Sequence, residues 1–323
     1  MKNENVIITR TPLRVSFIGG GTDMPYFYEK FGGATISCAI KKYIYVTVKY
    51  NHAFNEKFRL NYSITESVNK ISEIKNDRIK LALKLMKINK PIYINTFSDI
   101  PANSGLGSSS SFTVGLIHAL FKLENKKISI KRITELAFKI ESKITNNSVG
   151  KQDHYIAAFG GIKFIEYKKK IYVRKIKITK NLQSFINSNY LIHTGLSREA
   201  KDVLKNQKNN KFKNFENLMN IKKLTYTFKN KILNKNSKNL DFVKIIQKSW
   251  ILKKKLSKNI TNEKIEKLSR KLQSMGLIVE KLLGAGNGGF LLVYKVKNLK
   301  ENFNIKKSKF FRMQLDYEGT KIL

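Results

Sequence analysis

The feature that most restricts how this chain folds is a change of texture part-way along its 323 residues. Up to residue 187, short alternating segments are interleaved with loops and helical patterns. Residues 12–18 set Leu13, Val15 and Phe17 against Arg14 and Ser16. Residues 43–50 alternate around Ile44, Val46 and Val48, and residues 91–97 form a third strand candidate. Helical spacing predicts one helix over 109–123 and a stronger one over 130–144, where Ile133, Leu136, Ala137 and Ile140 share a face. A Gly160-Gly161 turn leads into two further strands, 162–167 and 171–178. From Ser197 to about Gly276 the pattern is almost entirely helical, with one stripe at Phe212, Phe215, Leu218 and Met219 and another at Val243, Ile246 and Trp250. Two last strand candidates follow at 289–296 and 310–317. A strand-rich region followed by helices and then strands implies two packed units, 1–187 and 188–323. The length agrees, since a single core rarely organises so many residues.

Charge is the most conspicuous feature of the composition, with 63 basic against 23 acidic residues and a net +40. Only nine of the basic residues are Arg. The rest are Lys, spread among Asn and Ile, all three with A/T-rich codons. A nucleic-acid surface favours Arg forks in a localised stripe, so no nucleic-acid partner is expected. The positive field does favour anionic substrates. The single cysteine, Cys38, excludes a disulfide framework and fits a reducing compartment. Residues 1–5 carry no apolar run of the signal-peptide kind. The longest uncharged stretch, 100–121, contains five Ser, an Asn and three Gly, too polar for a membrane span. The expectation is a cytoplasmic protein with no membrane partner. Its oligomeric state leaves no mark in the sequence.

Three glycine-rich segments carry the chemistry. Residues 14–23 run from a strand into Gly19-Gly20-Gly21-Thr22-Asp23, where glycine permits close backbone approach and Asp23 can accept from ligand hydroxyls. Residues 101–111, Pro-Ala-Asn-Ser-Gly-Leu-Gly-Ser-Ser-Ser-Ser, feed a loop into a helix whose first N–H groups lack intrahelical partners. Those donors, the helix dipole and the clustered hydroxyls together suit a phosphate. The lysine of a Walker loop is absent. Residues 284–289, Gly-Ala-Gly-Asn-Gly-Gly, precede a strand and so are no dinucleotide fingerprint. Asn287 is the non-glycine type that best tolerates left-handed backbone there. Near the end of the second helix, Gly150-Lys151-Gln152-Asp153-His154 supplies a candidate base in Asp153. There is no Ser-His-Asp order, no zinc motif and no Cys pair, and the four histidines are scattered.

In this order the segments resemble the GHMP kinases, the superfamily of galactokinase, homoserine kinase and mevalonate kinase. The resemblance rests on Thr11-Pro12-Leu13-Arg14-Val15, on the Gly-Leu-Gly-Ser-Ser of residues 105–109 and on the last glycine loop, and it spans nearly the whole chain. Within the superfamily, Gly-Gly-Gly-Thr-Asp at 19–23, Gly-Lys-Gln-Asp at 150–153 and Thr194-Gly195-Leu196 before Ser197-Arg198 are similar to the branch acting on heptose 7-phosphate. Galactokinase has a Glu-His pair where Gly20-Gly21 stand here. Asn103, His154 and Asn287 depart from the family pattern.

The resemblance implies an α+β fold, with a ribosomal S5 domain 2-like amino-terminal domain and a ferredoxin-like carboxy-terminal domain. It implies ATP with its phosphates along Pro101, Ser104, Gly105, Leu106, Gly107, Ser108, Ser109 and Ser110, and Mg²⁺ held by Ser109 and Glu141. Asp153 would take the proton of the attacking sugar hydroxyl, assisted by Arg14, since phosphoryl transfer needs mainly positioning and charge neutralisation. Gly20, Gly21, Asp23, Lys151, Arg198 and Gly286 would face the sugar phosphate. Arg198 and then Lys151 are the expected partners of its phosphate. The other readings are a kinase for a fucose-type sugar or a mevalonate-like acceptor, a ligand-binding relative without catalysis and, from a different class, a basic nucleic-acid-binding protein. Nucleic-acid binding has no need of Glu141, Asp153 and the serine loop together.

Overall fold

A computed structural model describes residues 6–51, 57–196, 214–296 and 309–323. An eight-stranded sheet is built around two long neighbours, β1 (Ile7–Ile18) and β2 (Gly33–Tyr50), paired antiparallel along most of their length. The far half of β2 pairs with β5 (Ile92–Ser98). Its first half pairs instead with β6 (Ile162–Tyr167), which carries β7 (Ile171–Lys175), so the sheet forks along one strand. β3 (Phe58–Asn61) and β4 (Thr65–Val68) extend the β5 edge, and β3 lies parallel to β5. The second sheet is antiparallel, in the order β11 (Phe310–Arg312), β8 (Asn189–His193), β10 (Phe290–Lys295), β9 (Leu277–Leu282).

Nine helices are described, α1 (Pro25–Phe31), α2 (Asp77–Met86), α3 (Ser108–Leu123), α4 (Ile130–Ile144), α5 (Gln152–Phe159), α6 (Lys180–Asn187), α7 (Phe215–Leu233), α8 (Asn239–Lys254) and α9 (Glu263–Ser274). α4 forms where its apolar spacing is cleanest, and Ser129 caps it by accepting from Arg132 N–H. α3 lies across β1 and β2, while α4 and α5 pack on α3. α7 and α8 pack on each other and α8 continues onto β9. One apolar core joins the two sheets. Phe17 of β1 meets Phe185 of α6 and Phe228 of α7, and Phe242 of α8 closes the aromatic group. Each such fully buried ring contributes ~2–3 kcal/mol against exposure, enough to hold the sheets in fixed register.

Several elements differ from the sequence expectation for identifiable reasons. β2 starts ten residues before the expected segment, because Gly33 to Ile40 is buried on both faces and shows no alternation. β11 stops at Arg312, not at residue 317. Beyond it the chain turns back, with the Asp316 carboxylate accepting from the N–H groups of Glu318 and Gly319, so that β12 (Lys321–Ile322) joins β1 in the first sheet. β9 is hidden in a short apolar run that periodicity cannot distinguish from helix. In the first helical stripe Leu218 is buried with Ile221, whereas Phe215 and Met219 are exposed. Phe212 lies outside the described residues. Among the described residues no helix is long and apolar enough to cross a membrane.

Candidate active site

All three glycine-rich segments meet in one cleft. Its walls include Gly20, Gly21 and Asp23 from the turn after β1, Gly105, Gly107 and Ser108 to Ser110 from the start of α3, and Gly284, Gly286 and Gly288 from the loop between β9 and β10. The second and third segments touch backbone to backbone. A Cβ on Gly284 would lie 2.6 Å from the Gly105 Cα, and one on Gly105 would lie 2.7 Å from the Leu283 carbonyl oxygen. Both glycines also have positive φ, so no other residue type allows this approach. Asn287 adopts a φ of 60°, in keeping with its expected tolerance of left-handed backbone.

α3 begins at Ser108 after Gly107, and no side chain caps its first turn. The leading N–H groups are thus turned toward the cleft as an anion cradle. The loop before it hangs from Leu106, which is fully buried and whose carbonyl accepts from Arg14 N–H at 2.9 Å. Ser104 is buried alongside, and Pro101 stands exposed at the loop entrance. These three shape the loop from behind while Gly105, Gly107 and Ser108 to Ser110 face the cleft.

Arg14 and Asp153 form the central pair. Arg14 Nε donates to Asp153 Oδ1 at 2.7 Å and Nη2 donates to Oδ2 at 2.6 Å, a bidentate fork. Nη1 reaches the Gly105 carbonyl oxygen, so one guanidinium links the acid to the serine loop. Asp153 keeps one-fifth of its side-chain surface exposed, at the first turn of α5, where the helix dipole favours a carboxylate. Asp23 anchors that same turn. Its Oδ1 accepts from Gly21 N–H and its Oδ2 from Gln152 N–H. Gly150 is essential to this contact, because a Cβ there would sit 2.0 Å from Asp23 Oδ2. Burial, then the neighbouring Asp153 charge, push the Asp23 carboxyl above its usual range.

Glu141 lies beneath the serine loop and is completely buried. Its Oε2 accepts from Ser110 Oγ at 2.8 Å and its Oε1 from Arg78 Nε at 2.8 Å. His154 Nε2 stands 3.1 Å from Oε2, out of line for a hydrogen bond. Burial acts to raise the Glu141 carboxyl, but His154 and Arg78 outweigh it and hold it well below the usual range. The hydroxyl beside Glu141 is thus that of Ser110, one residue beyond the expected Ser109, which lines the cleft instead. The hydroxyls of Ser108 and Ser109 line the cleft where Mg²⁺, which keeps waters and takes further ligands from substrate phosphates, would lie, whereas the expected ligand Glu141 is sealed behind them with both oxygens engaged. Among the described residues no group of three or more His, Cys, Asp or Glu could hold a metal by itself. The fit is to a cation that arrives with a nucleotide.

A family profile described as the GHMP kinases N terminal domain matches residues 69–161, a span holding the serine loop, Glu141 and Asp153. D-glycero-alpha-D-manno-heptose 7-phosphate kinase from Campylobacter jejuni is 29% identical over 311 residues, covering 92% of this chain and 91% of that protein. The chain is thus similar to the GHMP kinases, through that domain and along most of its length. Its fold is theirs. A D-glycero-D-manno-heptose 1-phosphate kinase from Bacteroides thetaiotaomicron superposes with a TM-score of 0.69 at 22% identity, covering 98% of each chain. Mevalonate kinase from Methanococcus jannaschii superposes at 0.70 and 23% identity, covering 97% of this chain and 99% of that one. These likenesses support an ATP-dependent phosphotransferase with an alcohol acceptor.

Not every expected residue reaches the cleft of this kinase. Lys151 is turned aside, its Nζ lying 4.9 Å and 4.8 Å from the ring centres of Tyr28 and Phe138. Cation–π contact and the half-buried position hold it there, away from the cleft lining. Arg198 lies outside the described residues. Conversely, Lys253 of α8 lines the cleft without being expected there. Its signal lies in helical phase, because it continues the stripe Val243, Ile246, Trp250 at the next helical interval. Arg78, bound to Glu141 beneath the serine loop and outside the cleft lining, is also unexpected, since nothing in its local sequence ties it to a helix 63 residues away.

Proposed function

We propose that this sugar kinase transfers the γ-phosphoryl group of ATP to the anomeric hydroxyl of D-glycero-D-manno-heptose 7-phosphate, giving the 1,7-bisphosphate. The observation that carries the reading is the Arg14–Asp153 fork in a cleft bounded on one side by the uncapped start of α3 and on another by Asp23 and Gly20-Gly21. ATP phosphates suit the α3 cradle because its N–H groups and serine hydroxyls all donate. Asp153 then faces a sugar on the Asp23 side and accepts the hydroxyl proton, while Arg14 holds the carboxylate in one orientation. Asp23 and the glycine backbone are suited to sugar hydroxyls, which both donate and accept.

Mg²⁺ brought by the nucleotide would be held by Ser109, with Glu141 placed behind it through the Ser110 hydroxyl, and would supply charge neutralisation on the phosphates. The sugar assignment follows the likeness to the heptose 7-phosphate kinase of Campylobacter jejuni, which extends over both chains almost in full. The phosphate of the substrate needs cations beyond the Arg14 fork, and Arg198 remains the proposed partner.

The test is ATP consumption by the purified protein against a panel of free sugars and sugar phosphates, including both heptose 7-phosphate and heptose 1-phosphate. The proposed reading requires the highest kcat/KM on heptose 7-phosphate. Equal efficiency on free heptose would move the assignment to a free-sugar kinase, and preference for mevalonate or fucose would replace it.

A further inference from the structure

The cleft holds a cation that the reaction as described leaves without a task. Lys253 sits in the last turn of α8 with nine-tenths of its surface buried, yet it lines the cleft. A buried ammonium loses most of its hydration and is kept only where partners replace it. Its described hydrogen bond is from Nζ to the Gly284 carbonyl oxygen. An ammonium has three N–H donors, so that bond leaves two for other acceptors. Arg14 and Lys253 are the Arg and Lys residues among the described cleft-lining residues, and Arg14 is already committed to Asp153 and Gly105.

The position of Lys253 follows from what it holds. Gly284 is the residue pressed against Gly105 of the serine loop, and the Gly105 carbonyl is itself bound by Arg14. Lys253 and Arg14 therefore flank the junction where the α3 cradle meets the Asp153 side of the cleft. The surrounding charges agree. Burial, and then Arg14, push the Lys253 ammonium down to about 8, against the opposing pull of Asp23 and Asp153. An anion entering this junction relieves the cationic crowding.

We propose that Lys253 binds the phosphoryl group in flight, its Nζ contacting a non-bridging oxygen between the α3 cradle and Asp153. The proposal rests on the kinase reading above. In the step concerned, the sugar oxygen forms its bond to the γ-phosphorus as the bond from that phosphorus to the bridging oxygen of ADP breaks. The hydroxyl proton passes to Asp153, the electron pair of the broken bond stays on ADP, and Lys253 keeps its protons while offsetting charge on the moving group. A group that acts this way contributes to the rate and to γ-phosphate affinity and leaves sugar affinity alone.

The test combines nucleotide binding with kinetics on Lys253→Gln, Lys253→Met and Lys253→Arg. Thermal unfolding without nucleotide establishes that each variant is folded, and Met provides an uncharged replacement of similar length where Gln fails. In the wild type, ATP should raise the midpoint more than ADP does. In the uncharged variants that difference should shrink while the ADP shift is retained. Their kcat on heptose 7-phosphate should fall ~10²- to 10³-fold with KM for the sugar little changed, and Arg should restore part of the rate. An unaltered ATP–ADP difference together with wild-type kcat would overturn the proposal and leave the kinase reading standing. A raised KM for the sugar phosphate at unchanged kcat would also overturn it, by assigning Lys253 to the substrate's own phosphate. Absence of any ATP effect on the wild type would overturn both readings at once.

Discussion

Asp153 and Glu141 stand on consecutive helices, yet their surroundings are opposite. Asp153 opens onto the cleft, keeps part of its surface in solvent and is held by one bidentate partner. Glu141 is sealed beneath the serine loop and is surrounded by Arg78, Ser110, Thr113 and His154. A carboxylate that must receive a proton during turnover needs access. A carboxylate that must remain a fixed negative charge needs burial with partners that stabilise its ionised form. Under the proposed function the same functional group has two tasks set by environment alone, and the variants of each should fail in different ways.

The largest effect is expected at Asp153. Asp153→Asn keeps the shape but removes the basicity, so kcat should fall by ~10²- to 10⁴-fold. Stabilisation by ATP should persist, because the α3 cradle is untouched. Wild-type turnover in this variant would make Asp153 a structural turn residue and erase its contrast with Glu141. Glu141→Gln should show itself in folding. Removing the buried charge leaves Arg78, itself three-tenths exposed, without its partner and should cost ~1–3 kcal/mol in urea unfolding at neutral pH.

The pH dependence sharpens the distinction. The Glu141 carboxyl is held below its usual 4.5 in the folded protein, so its stabilisation is complete above that value. It is lost as pH falls further, through the lowered folded value. The stability gap between wild type and Glu141→Gln should therefore stay constant from neutral pH down to about 4.5 and narrow below it. A gap that instead widened on acidification would show that Glu141 is not the ionised partner of Arg78.

Backbone geometry decides which parts of the site are legible in the sequence. Gly105, Gly284 and Gly150 occupy places where a Cβ would strike another segment, so the glycines that mark each motif are themselves the trace of close packing. Asp153 and Arg14 stand beside those motifs, and helix α4 is marked by its apolar spacing and by Ser129 at its start. Lys253 is not legible in the same way. It lies in a Lys-Lys-Lys run within a chain of many lysines, where only its phase on α8 separates it from solvated neighbours. Lys151 misleads for the converse reason. Its place beside Asp153 in sequence suggests the cleft, but the start of α5 turns its stem toward Tyr28 and Phe138. The first half of β2 leaves no alternation to read, because both of its faces are covered.

The proposed reaction moves a phosphoryl group from ATP to the anomeric oxygen of a sugar that already carries a phosphate. The direct measurement is phosphorus NMR of the wild-type reaction with ATP, Mg²⁺ and heptose 7-phosphate. Conversion of ATP to ADP should be matched by one new phosphate monoester signal coupled to the anomeric proton, with the original 7-phosphate signal retained. Release of inorganic phosphate without that signal, or phosphorylation at any other hydroxyl, would contradict it.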